Sequence, residues 1–171
     1  DRVLALSLAD PSHIAPPTLF ATSAPAPVLL HIGAGGPHKR WPLARWLDLY
    51  RRVDDRAPPG VSAVRLIAGE VEREQLSPAD AHAFESVKGT WLSDLAELFR
   101  IFTTARAFIG ADSGPAHLAA QMGVPTLTLF GPTDPERWAP LGPHARVLAP
   151  PSPIDMHWLA TDRVESELAG I

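Results

Sequence analysis

The stretch Phe108-Ile109-Gly110-Ala111-Asp112-Ser113-Gly114-Pro115-Ala116-His117-Leu118-Ala119-Ala120-Gln121-Met122-Gly123 constrains the fold more than any other part of the chain. An apolar strand breaks at Gly110, a short turn of capping residues follows, and a helix opens. Pro115 suits the first helical turn, where its missing N–H costs nothing. Asp112, Ser113 and Gly114 each qualify as the N-cap. Gly123 fits the position just past the helix end, with Pro125 behind it. Ser113, Gly114 and His117 therefore gather at a helix N-terminus, where unpaired N–H groups and the positive end of the dipole favour an anion. A capped helix with a surface or core histidine fits the same residues equally well.

The rest of the chain repeats the strand-then-helix alternation. Residues 1–27 carry Pro11, Pro16, Pro17, Pro25 and Pro27, which break a long helix or a central strand. A short strand fits Val3 to Leu6, and the segment as a whole reads as a linker or the remnant of an interdomain connection. Val28 to Ile32 is an apolar run of the kind a doubly covered parallel strand shows. The loop Gly33-Ala34-Gly35-Gly36-Pro37-His38-Lys39 follows, then helical spacing at Leu43, Trp46, Leu47 and Tyr50. Val61 to Ile67 reads as a second strand, Pro78 to Phe84 as a helix, and Ser86 to Val87 as a weak third strand. Ser93 is placed to cap a helix carrying Leu95, Leu98, Phe99 and Phe102 on one face. Ala107 to Ile109 and Thr126 to Phe130 are the fourth and fifth strands. Val147–Leu148 suits a last strand, and residues 161–169 suit a closing helix. Such alternation predicts an α/β fold, a Rossmann-like parallel sheet with helices on both faces, in residues 28–171.

In a sheet of order 3-2-1-4-5, the loops after strands 1 and 4 share the crevice where the strand order reverses, which is where such sheets bind ligands. Two glycine-bearing loops far apart in sequence thus fall on one crevice. Backbone N–H groups around Gly33, Ala34 and Gly35 can approach an anion closely. Lys39 fits a phosphate oxygen, although a solvated surface is the commoner place for any lysine. Glu70, Glu72 and Glu74 follow the second strand, where an acceptor for a ribose diol belongs; an acidic helix start explains them as well. His31, inside a strand, is expected to be a hydrogen-bonded core histidine. Trp41 and Trp46 are expected to pack.

Other chemistries fit poorly. The loop after strand 1 has neither G-x-G-x-x-G nor P-loop spacing, which disfavours hydride transfer and NTP hydrolysis. The seven histidines show no H-x-x-x-H spacing, and no cysteine is present, so no metal site and no cofactor are expected. Asp112, Ser113 and His117 crowd one turn, which is not triad geometry. A formal charge of −4 leaves no basic footprint for nucleic acid. The sequence starts at Asp1 and its first methionine is Met122, so it is expected to be a fragment, a processed product or a trimmed piece of a longer protein.

Three segments together resemble the C-terminal half of the ADP-heptose:lipopolysaccharide heptosyltransferases, glycosyltransferase family 9. They are His31-Ile32-Gly33-Ala34-Gly35 through Lys39-Arg40-Trp41-Pro42, then Gly110 to Ala120, then Val124-Pro125-Thr126 through Phe130-Gly131-Pro132-Thr133-Asp134-Pro135. The resemblance implies the donor-binding, Rossmann-like half of a glycosyltransferase B fold, binding a nucleotide sugar such as ADP-heptose without a metal. It implies Lys39 on the diphosphate, Ser113, Gly114 and His117 at the helix start, and Asp112 orienting the sugar or its loop. Lys39 and Asp112 are then the candidate catalytic residues. Glu72 corresponds to the ribose-binding acid of a G-G-x-x-E-type segment, here with Ala68 in place of the first glycine. The acceptor glycolipid and the general base would belong to an N-terminal domain outside this chain. A cytoplasmic location, with peripheral membrane association of the full protein, is also implied. A non-catalytic nucleotide-binding module of a larger assembly is the alternative; an N-terminal domain carrying an acidic base would separate the two.

Overall fold

The computed structural model describes residues 2–4, 26–58 and 63–168. The strands are β1 (Arg2–Leu4), β2 (Val28–His31), β3 (Val64–Gly69), β4 (Thr90–Leu92), β5 (Ala107–Ala111), β6 (Thr126–Leu129) and β7 (Ala145–Ala149). The helices are α1 (Leu43–Asp54), α2 (Glu70–Gln75), α3 (Pro78–Ser86), α4 (Leu95–Phe102), α5 (Gly114–Gln121), α6 (Pro135–Trp138) and α7 (Thr161–Leu168). Single 3-10 turns span Pro37–Lys39 and Met156–Trp158.

The sheet order is β1-β7-β6-β5-β2-β3-β4, and every pairing is parallel except that of β1 with β7. From β2 the chain winds outward through β3 and β4, returns to β5 beside β2, and winds the other way through β6 and β7. The order therefore reverses between β2 and β5, as anticipated, with His31 opposite Gly110 in the register. The strand expected near the N-terminus is β1; residues 5–25 lie outside the described residues, as do positions 61 and 62 of the expected second strand and position 169 of the closing helix.

Strand alternation divides the core between the two faces. Val28, Leu30 and Ile109 face Trp46 and Leu49 of α1 and Val164 of α7. Leu29 and Phe108 face Leu98 and Phe102 of α4 and Ala116 and Ala119 of α5. Trp41 and Trp46 pack edge to face at 4.7 Å, both buried, and the Trp41 Nε1–H donates to the Leu159 carbonyl at 2.9 Å. Both tryptophans are packing residues, as expected.

Three local expectations are corrected. The third strand is not at Ser86–Val87, because α3 continues through Ser86. It is ended by Lys88, at φ 58°, whose N–H donates to the Glu85 carbonyl while the Gly89 N–H reaches the Phe84 carbonyl. That is a Schellman ending with lysine in the left-handed position usually held by glycine, so its sequence signal was displaced by one residue. The cap of α4 is Asp94, which accepts from the Glu97 N–H at 2.7 Å; Ser93 instead donates to the Glu97 carboxylate. The apolar face of α4 is split: Leu98 and Phe102 are buried, whereas Leu95 and Phe99 are exposed. In α5 the cap position is Ser113, and Gly123, at φ 79°, ends the helix as expected. Among the described residues no helix is long and apolar enough to cross a membrane.

Candidate functional site

A cleft of about 690 Å³ lies at the carboxyl ends of the strands where the order reverses. It is walled by the loop after β2, the start of α2, the start of α4 and the start of α5. Of the candidate site residues, Ala34, Gly35, Glu72, Ser113 and Gly114 line it, together with Glu70 and His31, whereas Gly33, Lys39, Asp112 and His117 do not. Two loops that are far apart in the chain are stitched together here: the Gly35 N–H donates to the Asp112 carbonyl at 3.5 Å.

The start of α5 is left open. Ser113 is extended at φ −159°, its hydroxyl does not cap the helix, and Oγ is buried with no hydrogen-bond partner. A Cβ built on Gly114 would meet nothing within 4 Å. Glycine there relieves no clash; it keeps the approach to the helix N-terminus clear, where dipole and N–H groups favour negative charge.

Asp112 gathers the neighbouring polar groups. It is buried, and its Oδ2 accepts from Lys39 Nζ at 2.7 Å and from Thr133 Oγ1 at 2.9 Å. His117 Nε2 stands 3.9 Å from Oδ1. Lys39 is thus neither the free surface lysine nor a charge standing in the cleft: its ammonium is committed to Asp112, and neither side chain lines the cleft wall. Thr133 was not singled out for a role from sequence, although it lies in the Gly131-Pro132-Thr133-Asp134-Pro135 segment.

Glu72 takes the helix-start role that its position suggested, and it lines the cleft. Of the three glutamates after β3 it alone is buried. Its Oε2 accepts from the Gly69 N–H at 3.0 Å, which satisfies one donor at the start of α2. Its Oε1 presses toward Gly33, where a Cβ would come within 2.4 Å of it and within 2.7 Å of His31 Cε1. A side chain after β2 would therefore displace Glu72 or His31.

His31 is buried in its strand, as expected. Its ring stacks on Phe108 at 6.1 Å, but Nδ1 is buried and has no hydrogen-bond partner, and the residue lines the cleft. Burial pushes its pKa below the usual histidine value, against the opposing influence of the Glu72 carboxylate and the Gly33 backbone. Its place in a strand signalled burial; only the tertiary structure brings Glu72 beside it. Arg40 and Gln75 also line the cleft and were not anticipated.

Comparison with known proteins gives this architecture a family. The profile of glycosyltransferase family 9 (heptosyltransferase) matches residues 6–155. Lipopolysaccharide heptosyltransferase 1 of Pseudomonas aeruginosa is 37% identical over 112 residues, which are 66% of this chain and 30% of that protein. Lipopolysaccharide heptosyltransferase 2 of Escherichia coli K12 is 27% identical over 119 residues, 66% of this chain and 33% of that protein. The chain thus spans about a third of the length of the curated relatives it matches. The fold superposes on E. coli heptosyltransferase WaaC solved with ADP, with a TM-score of 0.67 at 20% identity, covering 87% of this chain and 45% of that one. It also superposes on E. coli ADP-heptose lps heptosyltransferase II, with a TM-score of 0.63 at 23% identity, covering 88% and 47%. Carrying its profile along most of its length, the chain belongs to glycosyltransferase family 9 (heptosyltransferase).

Proposed function

We propose that this chain is the donor-binding domain of a metal-independent, inverting glycosyltransferase of the lipopolysaccharide-core type, taking ADP-heptose. The observation that carries this reading is the cleft itself, where a helix N-terminus, a glycine-bearing loop and a buried carboxylate converge on one space. Family membership supplies the reaction class. Two of the solved neighbours are described as heptosyltransferase WaaC with ADP and with ADP-2-deoxy-2-fluoro heptose, which supports an adenine nucleotide sugar as donor.

In this reading the diphosphate lies against Gly35, Ser113 and Gly114, with Gly33 and Ala34 shaping the loop and His117 one helical turn further on. Glu72 Oε1 accepts from the ribose hydroxyls. An acceptor hydroxyl attacks the anomeric carbon, the bond to the diphosphate oxygen breaks, and negative charge grows on the leaving group. Fixed N–H donors stabilise that charge without reorganising. Lys39, paired with Asp112, fixes the loop after β2 beside the leaving group. The acceptor glycolipid and the base that takes its proton belong to a further domain, at the cytoplasmic face of the membrane.

Calorimetric titration with ADP, UDP and GDP, in EDTA and then with Mg²⁺, tests the proposal. Saturable binding that prefers ADP and is unchanged by Mg²⁺ is expected, and the chain by itself is expected to transfer no sugar. A preference for UDP or GDP overturns the assignment of the donor; a requirement for Mg²⁺ overturns metal independence.

A further inference from the structure

The donor cleft has the wrong charge for a diphosphate. Its described lining carries the carboxylates of Glu70, Glu72 and Asp94 against one guanidinium, that of Arg40. The lysine next to it does not redress this, because the Lys39 ammonium is paired with Asp112 at 2.7 Å. The two adjacent cations diverge at the end of the 3-10 turn: Lys39 closes the turn, and Arg40, extended at φ −77° and ψ 125°, leaves it toward α2.

Arg40 is held there by a neutral group. Its Nη2 donates to the Gln75 amide oxygen at the end of α2, while its Nε is buried without a hydrogen-bond partner. Among the described residues no carboxylate pairs with it. A guanidinium offers five donors in a planar fork that matches phosphate, and charge-assisted bonds exceed those to a neutral amide. Exchanging Gln75 for a phosphate oxygen is therefore favourable, and it turns the lining's one guanidinium onto the anion. We propose that Arg40 is a phosphate-binding residue of this cleft, turning from Gln75 onto the diphosphate of the bound nucleotide. The proposal rests on the donor-binding reading given above.

The competing role is mechanical: Arg40 and Gln75 would merely buckle α2, and with it Glu72, to the loop after β2. Titrations of the wild-type chain, Arg40→Gln, Arg40→Lys and Gln75→Ala with ADP and with adenosine separate the two. Phosphate binding predicts that Arg40→Gln weakens ADP about tenfold or more and leaves adenosine unchanged. Arg40→Lys falls between, keeping the charge without the fork, and Gln75→Ala keeps wild-type ADP affinity. Equal losses for ADP and adenosine in both Arg40→Gln and Gln75→Ala overturn the proposal in favour of the buckle. Wild-type ADP affinity in Arg40→Gln also overturns it. A wild-type chain that binds no ADP overturns the donor-binding reading and this inference with it.

Discussion

Gly33→Ala tests the geometry of the site without removing a polar side chain. The added methyl would lie 2.4 Å from Glu72 Oε1, 2.5 Å from Glu72 Cδ and 2.7 Å from His31 Cε1. All three are well inside van der Waals contact, so a neighbour has to move. Backbone conformation is not the obstacle, since Gly33 does not occupy the left-handed region. His31 is fixed within a central strand and stacked on Phe108, so the side chain that yields is Glu72, which then gives up its bond to the Gly69 N–H. Overpacking of this kind costs about 1–3 kcal/mol. At roughly 2–4 °C per kcal/mol for a domain of this size, the melting temperature falls by roughly 2–12 °C.

A double-mutant cycle with Glu72→Ala, read by urea denaturation, isolates the cause. With the carboxylate gone, most of the space the methyl needs is free, so the cost of Gly33→Ala drops and the two changes couple by about 1 kcal/mol. Only the His31 contact remains to resist. Additivity within about 0.5 kcal/mol would refute the reasoning, because it would mean that the loop, and not Glu72, absorbs the methyl.

The remaining predictions concern charge. Burial holds the His31 pKa below its unfolded value of 6.5, so the unfolded chain binds the extra proton first as pH falls; the stability from neutral His31 is complete above that value and is lost as pH drops below it. In His31→Phe the stability profile, measured by urea denaturation between pH 7 and pH 5, is expected to flatten relative to wild type; an identical slope would contradict this. Lys39→Ala leaves the buried Asp112 carboxylate without its cation and is expected to cost about 1–3 kcal/mol of stability. His117→Ala, at a half-exposed position 3.9 Å from the same carboxylate, is expected to leave stability unchanged while weakening ADP binding; comparing both variants by thermal melting and calorimetry checks the contrast.

Much of this arrangement is legible in the sequence because local and global signals agree. The run Val28 to Ile32 and the Gly110-to-Gly123 stretch announce strands, a helix start and a helix end by residue type alone, and right-handed parallel winding then brings their loops together. Lysine in the left-handed position hid the end of α3, since the usual glycine stands one residue later. The state of Lys39 was hidden for a different reason. Its partner is 73 residues away, and only the pairing of β2 with β5 sets Asp112 within 2.7 Å of it. For His31 the strand pattern shows burial, but the unpartnered Nδ1 and the adjacent Glu72 depend on where α2 docks. Arg40 sat unnoticed beside the lysine that attracts attention in any phosphate loop.

Asp112 shows why adjacent cations are required. Its carbonyl accepts from the Gly35 N–H, its own N–H donates to the Leu129 carbonyl at 3.2 Å, and its carboxylate holds Lys39 and Thr133. One residue thereby fixes the loops after β2, β5 and β6 against one another. A fixed ammonium is useful to a growing negative charge because it pays no reorganisation cost when the charge appears. Yet the salt bridge that fixes Lys39 also neutralises it, and from outside the pair its field is that of a dipole. A cleft that is to hold a diphosphate therefore needs a second cation free of such an anchor. Arg40, one residue on, bonded to a neutral amide and among the described residues paired with no carboxylate, is in the position to be that cation.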